Sequence, residues 1–124
     1  MIGYVTLGTN DLERAASFYD SLLAVMGGKR MMDEDTFVAW ATDQDAASIA
    51  VTKPFDGETA TVGNGVMVAI AADSVEMVGK LHAKAMELGG VDEGAPGPRG
   101  DAGFYAGYFR DLDGNKLNAF CMVE

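Results

Sequence analysis

Residues 104–121, FYAGYFRDLDGNKLNAFC, hold the clearest structural signal in the chain. Two runs rich in aromatic and aliphatic residues, Phe104–Phe109 and Lys116–Cys121, flank a polar segment that contains Asp113-Gly114. An Asp-Gly pair between two strand-like runs favours a tight reversal of the chain, because both residues tolerate positive φ. The stretch therefore predicts an antiparallel hairpin.

Side chains of the second hairpin strand alternate between two faces of the sheet. One face is apolar and suits packing against helices, and it includes Cys121, the only cysteine. We expect Cys121 to be a buried, inert thiol. The opposite face mixes a charge, an amide and a ring, contributed by Lys116, Asn118 and Phe120. A ligand site on this sheet would therefore include Asn118.

The composition indicates one globular domain and leaves small molecules as the remaining class of partner. The chain has 124 residues, one domain's length, and 48% of them are hydrophobic, which is enough for a core. No apolar run approaches the roughly 20 residues that span a bilayer. The first residues lead into a strand rather than a signal peptide, so we expect a cytoplasmic protein. The formal net charge of −10 argues against nucleic acid and anionic membrane surfaces as partners.

The chain begins with a predicted strand and helix. Residues 4–8 alternate in polarity, as in a half-buried strand. Asn10 is the predicted N-cap of the helix and Gly27-Gly28 its predicted end. Between them, apolar residues at helical spacing form one buried face. They are Leu12, Ala15, Ala16, Tyr19, Leu22, Leu23 and Met26.

Three strand candidates follow, around Lys29–Met32, Thr36–Ala41 and Ser48–Lys53. Trp40 lies in the second of them, and we interpret it as a core or dimer-contact residue rather than part of a cofactor site.

The same order of features recurs 63 positions later, which indicates an internal duplication. Met67–Ile70 repeats the first strand, Asp73 the helix cap and Gly89-Gly90 the helix end. His82 lies on the apolar stripe of the second helix, so we expect a structural histidine behind the sheet. The matched positions are Tyr4 and Met67, Val5 and Val68, Leu7 and Ile70, Asn10 and Asp73, Glu13 and Glu76, Leu12 and Val75, and Gly27 and Gly90.

The duplication predicts strand, helix and several strands, twice over. Gly94–Gly100, which contains two prolines and Arg99, is predicted to be a loop. Each helix must bury its stripe on one sheet face, so the other face is left open for a cleft. By parity, this open face would carry Tyr4, Thr6, Met67, Asn118 and Phe120.

The sequence resembles the glyoxalase, bleomycin-resistance and extradiol-dioxygenase superfamily, also called vicinal oxygen chelate proteins. The resemblance covers nearly the whole chain and rests on four segments in order: YVTLGTNDLERAASFY (4–19), PFDGETATVGNGVMVAIAADS (54–74), LGGVDEGAPGPRG (88–100) and FYAGYFRDLDGNKLNAF (104–120). It implies an α+β fold of two βαβββ modules, about 1–60 and about 64–124, within a single domain spanning 1–124. The modules would form a curved, incomplete mixed-sheet barrel with the helices on its outer face, usually in a homodimer.

The resemblance also implies where a metal would bind. Metal-using members hold a divalent ion with a His in the first strand of each module and a Glu after the turn of the last hairpin. Those positions are Tyr4, Met67 and Asn118 in this sequence. A phenol with a reference pKa of about 10, a thioether and a neutral amide do not suit such ions. We therefore expect no metal and no cofactor.

Two interpretations of these three positions stay open: they contact a ligand in a metal-free cleft, or the cleft has collapsed and they pack together. Arg99 either offers a planar cation to a carboxylate at the cleft mouth or is merely solvated. Tyr105 and Tyr108 have opposite parity, and we favour Tyr105 for the cleft. The predicted ligand-binding residues are Tyr4, Thr6, Met67, Arg99, Tyr105, Asn118 and Phe120.

The leading functional hypothesis is a glyoxalase/bleomycin-resistance-like protein that binds a small organic molecule in the sheet cleft. The alternative is a glyoxalase-like lyase or isomerase that uses Tyr4, Asn118 or Arg99 for polarisation in place of a metal. A third hypothesis is a protein whose dimer interface is its function. No set of nucleophile, base and orienting residue is evident, so no catalytic residue is assigned.

Overall fold

The computed structural model describes residues 1–124, which form eight strands and two helices. In chain order these are β1 (Tyr4–Gly8), α1 (Leu12–Ala24), β2 (Lys29–Glu34), β3 (Phe37–Ala41), β4 (Ser48–Thr52), β5 (Val68–Ala71), α2 (Val75–Glu87), β6 (Val91–Pro98), β7 (Phe104–Arg110) and β8 (Lys116–Met122).

The strands form two separate four-stranded sheets. The first sheet has the order β1-β4-β3-β2 and the second has the order β5-β8-β7-β6. In each sheet the first strand of the unit pairs in parallel with the last one, and the other pairs are antiparallel. The predicted α+β fold of two βαβββ units in mixed, unclosed sheets is confirmed.

Each helix packs on one face of its own sheet. α1 contacts β2, β3 and β4, and α2 contacts β6, β7 and β8, while the two helices also touch each other. Trp40 and Cys121 lie in the shared core, as expected, and Cys121 is a free thiol. Neither helix is long and apolar enough to cross a membrane.

The turn between β7 and β8 forms hydrogen bonds that connect the second unit to the first. The Asp111 side chain, 4% exposed, accepts the amide hydrogens of Asp113 and Asn115, which shapes the turn. It also accepts the Tyr19 hydroxyl of α1 at 2.7 Å, and Asn115 Nδ2 donates to the Gly8 carbonyl at 3.0 Å. Burial raises the pKa of Tyr19 well above its ordinary value, and the Asp111 carboxylate adds to the rise, so the hydroxyl stays a donor.

Both helix caps lie one residue later than the sequence predicts. Asp11 and Ser74 are the N-caps, and each side chain accepts a backbone amide of the first turn at 3.1 Å. Asn10 instead exchanges two hydrogen bonds with the backbone of Ala60. Because both caps shift by one residue, the offset of 63 between the two units is kept.

The glycines that end the two helices do not keep the offset of the caps. Gly27 and Gly89 take the left-handed conformation, with φ of 84° and 96°. Gly27 comes three residues after the end of α1, whereas Gly89 comes two residues after the end of α2. The predicted match of Gly27 with Gly90 is therefore wrong by one residue.

The predicted loop at Gly94–Gly100 is mostly strand. β6 runs to Pro98 and pairs with β7 through a register that shifts twice, once on each side of Gly94. Prolines are tolerated here because β6 is an edge strand and its ladder is irregular. Only Arg99 and Gly100 lie beyond the strand.

Candidate ligand site on the open face of the second sheet

The face of the second sheet that points away from α2 carries the candidate site, and we call it the open face. Leu117 belongs to the core behind the sheet, which places its neighbours in the strand on the open face. Across the hairpin, Asn118 pairs with Tyr108. The open-face side chains of β7 and β8 are Phe104, Ala106, Tyr108, Arg110, Lys116, Asn118 and Phe120.

Asn118 has an unsatisfied buried acceptor. The residue is 1% exposed, and its Oδ1 atom has no hydrogen-bond partner. An unpaired buried polar atom costs about 1–3 kcal/mol, so native proteins seldom keep one without a role. The open-face neighbours do not relieve it: Ala69 on β5 is apolar, and Tyr108, directly across the hairpin, makes no hydrogen bond to this oxygen.

Two cations flank the ring of Tyr108. The Arg99 guanidinium carbon lies 5.4 Å from the ring centroid and Lys116 Nζ lies 5.6 Å from it. Both distances fall within the range of cation–π attraction. Arg99 is therefore not merely solvated: its head group lies over the open face.

Backbone carbonyls hold Arg99 in this position. Its Nη1 donates to the Gly97 carbonyl at 2.8 Å and its Nη2 to the Ala95 carbonyl at 2.7 Å. The guanidinium lies against two glycines, because a Cβ added at Gly94 or Gly97 would be 3.1 or 3.3 Å from its terminal nitrogens. The irregular strand β6 thus provides the carbonyl acceptors and the space that hold one guanidinium group.

The assignment of Tyr105 to the open face is wrong. Tyr105 pairs with Cys121 and packs against the core between the sheet and its helix. Tyr108 and Lys116 take its place on the open face, and neither was predicted as a site residue. Counting outward from the turn at Asp111–Asn115 pairs Tyr108 with Asn118, so the sequence held the signal that would have identified Tyr108.

The two halves of the predicted cleft lie on different sheets. Tyr4 is 62% exposed and lies on the face of the first sheet that points away from α1. Its ring packs edge-on against Phe37, with 6.2 Å between the ring centroids. Thr6 shares that face and is also exposed. Met67, just before β5, lines a 480 Å³ cavity beside Lys116, together with Arg110 and the loop 62–66. No strand pairing joins the two sheets, so one continuous sheet does not surround all the predicted residues.

The metal-ligand positions of the resemblance do not fit a divalent ion. Tyr4 offers a phenol, Met67 a thioether and Asn118 a neutral amide, and none of these donors suits the hard or borderline divalent ions that the resemblance implies. No group of three or more His, Cys, Asp or Glu side chains is placed to hold a metal.

His82 lies behind the second sheet, as predicted. It is 7% exposed, and its Nε2 lies 3.0 Å from Asp92 Oδ1. The Gly94 amide and, next, His82 lower the pKa of Asp92 below its ordinary value. This pair ties α2 to β6 and does not reach the open face.

Two further cavities have a different character. A 690 Å³ groove between the start of α1 and β2–β3 is lined by Asp11, Glu13, Asp33, Glu34 and Asp35 as well as two cations, and reads as a solvated charged surface. A 520 Å³ cleft between the units has 13 hydrophobic residues among 16, including Ile2, Val5, Leu23 and Met26.

Comparisons with known proteins agree with this fold. The model of the Glyoxalase/Bleomycin resistance protein/Dioxygenase superfamily matches residues 1–119. A glyoxalase/bleomycin resistance protein from Albidiferax ferrireducens T118 is 34% identical, with 99% of each chain covered and a TM-score of 0.90. A hypothetical protein of S. aureus is 26% identical over 98% of this chain and 92% of its own, with a TM-score of 0.73. A lactoylglutathione lyase from Agrobacterium tumefaciens, 20% identical over 98% and 92% of the two chains, shares the fold with a TM-score of 0.71. No curated protein matches the chain.

Proposed function

The chain belongs to the Glyoxalase/Bleomycin resistance protein/Dioxygenase superfamily, and we propose that it binds a small organic molecule on the open face of its second sheet without a metal ion. The site consists of Asn118 and Phe120 on β8, Tyr108 on β7, and Arg99 after β6. Tyr4 and Thr6 lie on the other sheet and are not needed by the proposal.

The unsatisfied Asn118 acceptor carries this proposal. A buried amide oxygen without a partner is a net cost to the folded protein. No group of the protein bonds this oxygen, so its partner has to come from outside the chain. A ligand that donates a hydrogen bond to Oδ1 supplies the missing partner, and the aromatic rings around it supply apolar contact.

The test begins with a thermal-shift screen of small carboxylates, thiol conjugates and aromatic drugs. A hit is then titrated by calorimetry into the natural protein and into Asn118→Leu, each with and without EDTA. We expect Asn118→Leu to weaken binding by about 1–3 kcal/mol while leaving the free protein equally or more stable. We expect EDTA to change neither affinity.

Three outcomes would count against the proposal. Unchanged affinity in Asn118→Leu would remove Asn118 from the site and indicate that the amide is a packing residue in a collapsed face. Loss of binding in EDTA would show that a metal takes part. A screen in which no compound of any class shifts the melting temperature would argue against a small-molecule function.

A further inference from the structure

The arginine on the open face is unusual for its charge environment. The chain has four arginines, and three of them, Arg14, Arg30 and Arg110, lie within ion-pair distance of a carboxylate. Arg99 does not, although the chain carries 19 acidic residues against nine basic ones. Its hydrogen bonds go to neutral carbonyls, which orient the guanidinium and leave its charge unbalanced.

Lys116 adds a second unbalanced charge. It too lies outside every ion pair of the structure, and it reaches diagonally across the hairpin to the ring of Tyr108. Two cations therefore share one aromatic ring in a protein of net charge −10. Neighbouring like charges repel each other, so an arrangement that keeps them together without an internal carboxylate is suited to an external anion.

The remaining open-face groups indicate which other chemical groups the ligand would carry. Asn118 Oδ1 needs a hydrogen-bond donor and lies on the residue directly opposite Tyr108. Phe104 and Phe120 stack with their centroids 5.5 Å apart and an interplanar angle of 24°, and both are half-buried. Phe120 follows Asn118 on the same face, so an apolar surface adjoins the polar one.

We infer that this site takes a small aromatic carboxylate that also carries a hydroxyl or amino donor; this inference rests on the proposed function and specifies its ligand class. The carboxylate binds Arg99 and Lys116, the donor binds Asn118 Oδ1, and the ring lies against Phe120. Asn118 is 1% exposed, so binding at Oδ1 requires the side chains that cover the amide oxygen to move aside.

Four probes separate the parts of this inference. Mandelate has a ring, a carboxylate and a hydroxyl donor. Phenylacetate lacks the hydroxyl, mandelamide lacks the charge, and inorganic phosphate lacks the ring. Calorimetry with each probe on the natural protein should rank mandelate first, with mandelamide weaker by about tenfold or more because a hydrogen bond between charged groups contributes about 1.5–3 kcal/mol. Phenylacetate should also bind more weakly than mandelate.

The variants Arg99→Gln and Lys116→Gln should each weaken mandelate binding by about tenfold or more. Arg99→Lys should lie between Arg99→Gln and the natural protein, because it keeps the charge and loses the planar fork. Lys80→Gln is the matched control, since Lys80 is an exposed residue of α2 that takes part in no ion pair of the structure. It should change affinity by less than about twofold, which shows that the loss does not follow from net charge.

Each alternative result overturns a defined part of the inference. Equal binding of mandelamide and mandelate, or unchanged affinity in Arg99→Gln with a normal melting temperature, removes the anion contact. Phosphate binding as tight as mandelate shows a simple anion site. Equal affinities of phenylacetate and mandelate remove the donor to Asn118. If only neutral compounds from the wider screen bind, the ligand class is wrong and the proposed function stands, whereas failure of every compound contradicts both.

Discussion

At the scale of single residues, the Tyr19 hydroxyl makes the most consequential contact outside the site. Tyr19 is fully buried in α1, and its hydroxyl donates to Asp111 in the turn that begins the site-bearing strand β8. Tyr19→Phe leaves this buried carboxylate with one hydrogen bond fewer, which should lower the free energy of unfolding by about 1–3 kcal/mol in urea titrations. Tyr4→Phe, at an exposed position, is the control and should be neutral within about 0.5 kcal/mol.

The same contact predicts how the difference between the two proteins varies with pH. Because the folded-state pKa of Tyr19 is raised, the contribution is complete below the unfolded value of about 10 and is lost as pH rises through and above that value. The stability gap between the natural protein and Tyr19→Phe should therefore narrow between pH 9 and pH 11. A gap that is absent at pH 7, or that widens at alkaline pH, would contradict this account of the Tyr19–Asp111 pair.

At the scale of elements, the sequence prediction and the structure differ in which residue caps each helix. The structure makes Ser74 the N-cap of α2, whereas the sequence pattern favoured Asp73, which is exposed. Ser74→Ala should cost about 0.5–2 kcal/mol of unfolding free energy, since the Met77 amide loses its acceptor. Asp73→Ala should stay within about 0.5 kcal/mol. Equal costs in thermal or chemical unfolding would return the capping role to Asp73.

The caps also show why a sequence predicts elements better than details. Hydrophobic periodicity and the offset of 63 identified both helices and most strands. The choice between adjacent polar residues such as Asn10 and Asp11 depended on a distant partner, Ala60, which no local pattern reveals. β6 was missed for a similar reason: its glycines and prolines are unsuited to a regular strand, and pairing with β7 stabilises it through shifted registers.

The candidate site was predictable only in part. Parity placed Asn118 and Phe120 on the open face, because alternation in a strand is a local property. The position of the Arg99 guanidinium against Gly94 and Gly97 depends on the bulged geometry of β6. Tyr105 was assigned to the wrong face because the register of the hairpin was not counted from its turn. Parity therefore identified Asn118 and Phe120, and loop composition suggested Arg99 without its position, whereas Tyr108 and Lys116 were not predicted as site residues.

At the scale of the whole molecule, the two sheets leave four edge strands, β1, β2, β5 and β6. Unpaired edges favour association, and natural proteins often cover them with a second copy of the same chain. The apolar 520 Å³ cleft opens beside β1 and β5, and Ile2 at its rim is 61% exposed. An apolar surface of this kind is commonly covered by a partner. These features favour a homodimer in which the second copy covers this cleft.

We therefore expect light scattering at micromolar concentration to give twice the chain mass of 13.0 kDa. Ile2→Asp places a charge at the rim of the apolar cleft, where a partner would have to desolvate it, and should shift the population toward single chains. Ser21→Asp adds the same charge at an exposed position of α1 and should leave the dimer intact. A monodisperse species of one chain mass in the natural protein would exclude the dimer under these conditions. A dimer that persists in Ile2→Asp would place the interface on other edges, of which β2, with every residue exposed, is the first to examine.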